Sequence, residues 1–183
     1  AEDAGFRRIK NNTVVQRGVN DHTVMDLLAH FRGTPHAVRL IEYMDVGNSN
    51  HWSPDDVVPN SDWIDAIGNK WAIRPLQTNS PAETARRYEY CDGQGEVGFI
   101  SSISQPFCGG CTRARITADG IFYTCLFSSR GTDLMPLIRQ NESLVPLRQR
   151  IQSVWGTRAD RYSEERGNSV HERHKVEMYR LGG

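Results

Sequence analysis

The stretch Ile9 to Val15, which reads IKNNTVV, is the strand from which the fold can be worked out. It ends in β-branched residues, which favour strands. Asn20 and Asp21 then predict the start of a helix, and a second strand is expected from Ala37 to Tyr43. The apolar face of this helix comprises Val24, Leu27, Leu28 and Phe31. A strand, a helix and a strand in succession form a βαβ unit, so the two strands are predicted to be parallel.

One βαβ unit is too small to be a domain, so residues 1–65 are expected to belong to a larger α/β sheet or barrel. From residue 66 the pattern changes to consecutive β-strands, which indicates a domain boundary and an α+β domain over 66–183. Strands are predicted over 73–76, 85–91 and 97–103, and helices over 134–138 and 144–155. Residues 156–183 are polar and are expected to form a loosely held tail.

Three cysteines are the strongest chemical signal in the chain. Cys108 and Cys111 form a CxxC pair, and Cys125 follows after thirteen residues. Three thiolates are one short of the usual shell for zinc or an iron–sulfur cluster. A cluster with one iron that lacks a cysteine has an open position, and Arg113 and Arg115 would favour an anionic ligand there.

The spacing of the cysteines does not distinguish an iron–sulfur cluster from zinc. Cys91 or a histidine could complete a zinc shell, although Cys91 is expected to be a small core residue. His171 and His174 are spaced for one helical face but lie in the polar tail. A redox dithiol is disfavoured because a hairpin, and not a helix, follows the CxxC pair.

The long spacer before Cys125 is predicted to be a hairpin that turns at Asp119 and Gly120. This turn would pair Ala118 with Ile121, and hence Arg115 with Thr124 and Ala114 with Cys125. Strand alternation would then place Arg113, Arg115 and Thr117 on one face.

Charge and cysteine content exclude several classes of function. The 22 basic and 22 acidic residues give a net charge of zero, which argues against non-specific binding to nucleic acid or to an anionic membrane. No apolar run approaches the ~20 residues of a membrane span, and no signal-peptide pattern opens the chain. Four cysteines in such a chain fit a reducing compartment, so a cytoplasmic location is expected.

Several separate stretches resemble one enzyme family. Residues 106–115 (PFCGGCTRAR), the Asp119–Gly120 turn and residues 123–127 (YTCLF) resemble the C-terminal cluster motif of the GTP 3′,8-cyclases. These are radical S-adenosylmethionine enzymes that open molybdenum-cofactor biosynthesis. Residues 9–21 and 41–47 resemble the family's later barrel strands, and residues 180–183 (RLGG) resemble its double-glycine end.

The resemblance implies a role for each matching residue. Cys108, Cys111 and Cys125 would bind a [4Fe–4S] cluster and leave one iron free for GTP. The resemblance further implies GTP contacts, an S-adenosylmethionine contact and a tail that reaches the active site. The corresponding residues are Lys10, Arg113, Ala114 and Arg115 for GTP, Met44 for S-adenosylmethionine, and Gly182 and Gly183 for the tail. Residues 1–65 would be the last units of an incomplete TIM-type barrel, and residues 66–183 the cluster and GTP domain.

The resemblance also implies an activity for the full-length protein. GTP would be converted to (8S)-3′,8-cyclo-7,8-dihydroguanosine 5′-triphosphate by a homodimer, with cyclic pyranopterin monophosphate synthase as the pathway partner. The family's CxxxCxxC motif, which holds the cluster that cleaves S-adenosylmethionine, is absent from this sequence. The chain therefore resembles the C-terminal half and is expected to be inactive alone. The alternatives are a stand-alone nucleotide- or metal-binding module and a zinc-stabilised structural domain.

Overall fold

Eight strands and five α-helices form within residues 1–77, 80, 83–140, 143–166 and 175–181, the part of the chain that this computed structural model describes. The strands are β1 (Lys10–Val15), β2 (Ala37–Glu42), β3 (Ile73–Pro75), β4 (Arg86–Tyr90), β5 (Glu96–Ile100), β6 (Arg115–Ile116), β7 (Ile121–Tyr123) and β8 (Thr132–Asp133). The α-helices are α1 (Val24–Phe31), α2 (Asn60–Lys70), α3 (Met135–Gln140), α4 (Val145–Gly156) and α5 (Tyr162–Glu165).

The first sheet has the strand order β1-β2-β5-β4-β3. Strand β1 is parallel to β2, and β2 is parallel to β5, whereas β4 runs antiparallel to both of its neighbours. The predicted βαβ unit is therefore confirmed. The chain is mixed α/β, with one sheet that contains parallel strands and a separate antiparallel sheet. This sheet does not show the closed or partial barrel that the sequence analysis expected, so the barrel stays a prediction.

The core of the first sheet combines its central strands with the apolar faces of α1 and α2. Leu40, Val97 and Phe99 are almost fully buried on β2 and β5, and Leu28 and Ile67 cover them from the two helices. Burying each such side chain contributes roughly 1.5–3 kcal/mol to folding. The apolar positions of α1, spaced at 3.6 residues, thus pack against the core as the sequence predicts.

The prediction that the helix starts at Asn20 and Asp21 was wrong in detail. A 3-10 turn, Asp21–Thr23, comes first, and α1 begins at Val24. Asn20 accepts a hydrogen bond from the Gln16 N–H and donates one to the Val14 carbonyl, so its side chain closes the loop after β1. It is not available to cap a helix.

The chain divides into two compact units. The first comprises Ala1–Met44 and Trp52–Gly110, and the second comprises Asp45–His51 and Cys111–Gly183. The five-stranded sheet of the first unit takes strands from both sides of residue 65, where the sequence analysis placed its boundary. The consecutive strands β3 to β5 extend the sheet that the βαβ unit begins, because β5 pairs with β2.

The second unit contains the three-stranded antiparallel sheet β6-β7-β8. Its hairpin was predicted in the right place but one residue out of register. Arg115 lies opposite Tyr123, and Ile116 lies opposite Phe122. The loop has three residues because Gly120 adopts a left-handed conformation with φ 82°, the geometry of a turn followed by a glycine bulge. Arg115 consequently does not pair with Thr124.

The polar segment after residue 156 is not uniformly loose. Helix α5 and a 3-10 helix at Met178–Leu181 form within its described residues. Leu181 is buried, and Lys175 forms a salt bridge with Asp45. The tail was expected to be loosely held because it is polar, and its partner Asp45, 130 residues from Lys175 in sequence, leaves no local sign in it. Among the described helices, none has both the length and the apolarity to span a bilayer.

Candidate metal and nucleotide site

Cys108 begins a 3-10 helix, Cys108–Gly110, at the end of the first unit. The segment that leads to it follows β5 and is fastened at residues 101–104. There Glu42, which is fully buried at the end of β2, accepts hydrogen bonds from the N–H groups of Ile103 and Ser104, each at 2.8 Å. It also accepts one from the Asn60 N–H at 2.9 Å. One buried carboxylate therefore joins β2, α2 and the segment before Cys108.

Cys111 begins the main part of the second unit, and two arginines surround it. The Arg113 Nε lies 3.4 Å from the Cys111 sulfur, and the Arg158 guanidinium donates to the Cys111 carbonyl. Burial raises the pKa of the Cys111 thiol, but hydrogen bonds from Arg113 and the charges of Arg113 and Arg158 lower it by more. The net result is a pKa below the usual value, which favours the thiolate that binds metal.

Cys125 lies in the loop that follows β7. Its sulfur accepts a hydrogen bond from the Phe127 N–H at 3.5 Å. Thr124 and Ser128, on either side of the cysteine, both donate to the carboxylate of Asp160. A cavity of about 270 Å³ opens beside this loop, and its lining includes Cys125 and Asp160.

The residues between the cysteines differ in exposure. Arg115 is half-buried at the start of β6, Ile116 is 58% exposed, and Thr117 is buried. This alternation agrees with a strand that has one covered face. Arg113 and Ala114 precede the strand and are exposed. In the structure, the Arg113 side chain contacts the Cys111 sulfur. That Arg113 and Arg115 share one face stays a prediction.

A second cluster of charges lies directly after Met44 in the chain. Asp45 is buried and accepts hydrogen bonds from Tyr162, Arg166 and Lys175. Burial raises the pKa of Asp45, but the hydrogen bonds from Lys175 and Tyr162 and the charge of Arg166 hold it below its usual value. The carboxylate is therefore ionised, and it fixes the C-terminal segment to the loop that follows Met44.

Lys10 and Met44 lie at opposite ends of the parallel strands. Lys10 is exposed at the start of β1 opposite Ala37, whereas Val15 at the end of β1 lies opposite Glu42, two residues before Met44. Five residues of strand correspond to about 17 Å. Lys10, which the resemblance assigns to GTP, and Met44, which it assigns to S-adenosylmethionine, are thus not close to each other within the first unit. Lys10 instead lines a cavity of about 640 Å³ at the strand starts.

The cysteines have the chemistry that a cluster requires. Cys108, Cys111 and Cys125 form no disulfide and are half-buried, and thiolates are the ligands of iron–sulfur clusters. Cys91 also forms no disulfide but is exposed, in the turn after β4, so its assignment as a core residue was wrong. Within the described residues, no three His, Cys, Asp or Glu side chains are gathered for a single metal ion. Each cysteine of a [4Fe–4S] cluster binds a different iron atom.

Some predicted site residues fall outside the described residues. These are Gly182 and Gly183 of the tail and the histidine pair His171 and His174. The sequence analysis in turn missed Asp160, Arg158 and the carboxylate cluster at Asp45. Asp160 and Arg158 carry no recognisable signal, because they are polar residues in a segment without regular periodicity. No local signal marks Asp45, because its partners are distant in sequence.

Comparison with known proteins agrees with the resemblance. Residues 36–164 match the family described as Molybdenum Cofactor Synthesis C. The whole chain is 51% identical over 185 residues to a GTP 3′,8-cyclase of Xanthomonas campestris pv. campestris (strain 8004), of which it covers 53%.

Two further GTP 3′,8-cyclases show the same relation. The chain is 46% identical to the enzyme from Synechococcus sp. (strain WH7803) and covers 53% of its length. It is 45% identical to the enzyme from Acidothermus cellulolyticus and covers 58% of its length. The chain spans about half the length of the curated relatives it matches, which is consistent with a C-terminal half. The chain therefore belongs to the Molybdenum Cofactor Synthesis C family, as the second half of a GTP 3′,8-cyclase would.

Proposed function

We propose that this chain is the C-terminal portion of a radical S-adenosylmethionine GTP 3′,8-cyclase and binds GTP beside a [4Fe–4S] cluster. The observation that carries the proposal is the set of three half-buried cysteines that form no disulfide, with the Arg113 Nε at 3.4 Å from the Cys111 sulfur. The identity to GTP 3′,8-cyclases along the whole chain supports the substrate.

Cys108, Cys111 and Cys125 would hold the cluster, and its iron without a cysteine would offer a binding position to GTP. The lowered pKa of Cys111, to which Arg113 and Arg158 contribute, favours the thiolate form that binds metal. Arg113 would then serve twice, since it stabilises this thiolate and supplies positive charge for a triphosphate. Arg115 and Ala114 would continue the same GTP-binding segment, and Lys10 would contact GTP from the first unit.

The remaining assignments concern the full-length enzyme. Met44 would contact S-adenosylmethionine, whose cleavage needs the CxxxCxxC cluster that this chain lacks. Gly182 and Gly183 would reach the active site as a mobile end. Residues 1–65 would form the last units of the partial barrel, and the enzyme would act in the cytoplasm as a homodimer, upstream of cyclic pyranopterin monophosphate synthase.

The proposal is tested by anaerobic reconstitution of the chain, followed by measurement of iron, sulfide and zinc per chain. About four irons with matching sulfide support the cluster, whereas about one zinc without sulfide contradicts it and favours a structural zinc domain. Cys111→Ser should lose the cluster. Cys91→Ser is the matched control, because Cys91 is exposed on the first unit, and it should retain the full iron content.

Binding of GTP is tested on the reconstituted chain by calorimetric titration. Arg113→Ala and Arg115→Ala should each weaken binding about tenfold or more, since a charged hydrogen bond contributes roughly 1.5–3 kcal/mol. The iron content of Arg115→Ala should stay unchanged. Arg139→Ala is the control, because Arg139 is an exposed arginine in the last turn of α3. Loss of iron in Arg115→Ala without a selective effect on GTP would assign this residue to cluster assembly.

A further inference from the structure

The segment from Arg158 to Tyr162 contacts both cysteine-bearing segments of the second unit. It connects α4 to α5 and lies outside the stretches that resemble the family's cluster motif. Three of its residues at alternate positions, Arg158, Asp160 and Tyr162, make these contacts.

Asp160 contacts the chain on both sides of Cys125. Its Oδ2 accepts a hydrogen bond from the Thr124 hydroxyl at 2.6 Å, and its Oδ1 accepts one from the Ser128 hydroxyl at 3.3 Å. Thr124 comes immediately before Cys125, and Ser128 follows it by three residues. The Ser128 N–H also donates to the Cys125 carbonyl. The carboxylate therefore closes the loop that presents the Cys125 thiol.

Arg158 and Tyr162 extend the same contact surface. The Arg158 guanidinium donates to the Cys111 carbonyl and lies over the Trp155 ring at 3.8 Å. The Tyr162 ring stacks on Phe127, with 4.6 Å between ring centroids and 18° between planes. The backbone of Phe127 donates to the Cys125 sulfur. Both cysteines of the second unit are thus held from one five-residue segment.

We propose that Asp160 is a positioning residue that orients the Cys125 thiol for iron, and that Arg158 does the same for Cys111. The inference rests on the proposed function, because it takes these cysteines to be cluster ligands. Residues that orient metal ligands typically change metal affinity 10–100-fold when they are replaced. Asp160 is half-buried at the protein surface, so its loss should affect the loop more than the fold.

The test compares iron release from reconstituted chains to an excess of an iron chelator. Asp160→Ala should release iron about tenfold faster than the wild-type chain or more, with an altered EPR spectrum of the reduced cluster. The urea midpoint of the metal-free chain should stay unchanged. Thr124→Val removes one donor to Asp160 with little change in shape and should also accelerate release.

Glu165→Ala is the matched control. It removes the same charge from an exposed residue that lines the same cavity, and it should release iron at the wild-type rate. Release at the wild-type rate from both Asp160→Ala and Thr124→Val would overturn the inference. A urea midpoint that falls in step with faster release would overturn it too, since it would assign Asp160 to general stability. A wild-type chain that assembles no cluster would instead overturn the proposed function, and the inference with it.

Discussion

The carboxylate of Asp45 accepts a hydrogen bond from Nζ of Lys175 at 2.8 Å, across 130 residues of sequence. Tyr162 and Arg166 complete the contacts of the same carboxylate. The loop that follows Met44 is thereby fixed to the C-terminal segment within the second unit. A residue assigned to S-adenosylmethionine is thus followed directly by the anchor of the segment that ends in Gly182 and Gly183.

Asp45→Asn should destabilise the second unit in a pH-dependent manner. The folded pKa of Asp45 is lowered, so its contribution is present above the unfolded pKa, near 4, and is lost as the pH falls through the folded pKa. Burial lowers the pKa of Lys175, but the hydrogen bond to Asp45 and the charge of Asp45 raise it above its usual value. The contribution of Lys175 to stability is therefore lost only at strongly alkaline pH. At pH 7 the substitution leaves two basic side chains without their buried partner and should cost about 3 kcal/mol.

This prediction is checked by urea unfolding of both chains between pH 3 and pH 8. The difference in free energy of unfolding should be constant from about pH 5 upwards and should narrow towards pH 3. Asp119→Asn is the control, because Asp119 pairs with Arg180 at the exposed surface, and it should have a much smaller effect at neutral pH. An Asp45→Asn difference that is the same at pH 3 and pH 7 would contradict the assigned ion pair.

Glu42→Gln should destabilise the first unit, although it preserves the size of the side chain. Both carboxylate oxygens accept hydrogen bonds from backbone N–H groups, and the residue is 0% exposed. An amide replaces one acceptor with a donor, which leaves N–H groups of Asn60 or of residues 103–104 unsatisfied. The expected cost is about 2 kcal/mol.

Hydrogen exchange distinguishes this effect from general destabilisation. The amides of Ile103 and Ser104 should exchange faster in Glu42→Gln under conditions in which those of β2 remain protected. Glu89→Gln is the control, since the Glu89 carboxylate pairs with an exposed arginine on β3. Uniform acceleration throughout the first sheet would show that Glu42 does not act locally on the segment before Cys108.

The sequence allowed prediction of those parts of the fold that depend on local periodicity. The apolar spacing in α1 and the β-branched run in β1 identify the βαβ unit, because both elements bury one face against a neighbour that is close in sequence. The three cysteines and the neighbouring arginines could also be named as a candidate site, since the thiols and charges lie within a short stretch. Their contacts with Asp160 and Arg158 were not, because a polar residue in an irregular segment has no characteristic pattern.

The register of the β6–β7 hairpin, which differs by one residue from the predicted one, shows how far the sequence alone could predict this segment. The Asp119–Gly120 pair correctly predicts a turn, but the same pair is compatible with loops of two or three residues. The choice is made by the Thr117 hydroxyl, which accepts a hydrogen bond from the Ile121 N–H at 3.0 Å, and by the packing of Gly120 against Met135. The first contact lies inside the hairpin, four residues apart, and the second joins the hairpin to the start of α3; neither involves the Asp119–Gly120 pair alone, so the one-residue shift could not be read from that pair.

Gly120→Ala tests this register through a matched pair of glycines. Gly120 and Gly93 both have positive φ values, 82° and 77°. A Cβ at Gly120 would lie 2.5 Å from Cγ of Met135, whereas a Cβ at Gly93 meets nothing within 4 Å. Gly93→Ala should therefore cost only the conformational strain of about 1 kcal/mol. Gly120→Ala should cost about 2 kcal/mol, because Met135 must also move.

A double-mutant cycle separates the two contributions at Gly120. Met135→Ala removes Cγ and Sδ, the two atoms that would lie within 3 Å of a Cβ at position 120. The two substitutions together should therefore be about 1 kcal/mol less destabilising than the sum of the single effects. Free energies of unfolding from urea titration supply all four corners of the cycle. Equal costs for Gly93→Ala and Gly120→Ala, with no coupling to Met135, would mean that the hairpin does not pack against the start of α3. The three-residue loop would then lack the contact that selects it, and the two-residue register, with Arg115 opposite Thr124, would become the better description of the segment between Cys111 and Cys125.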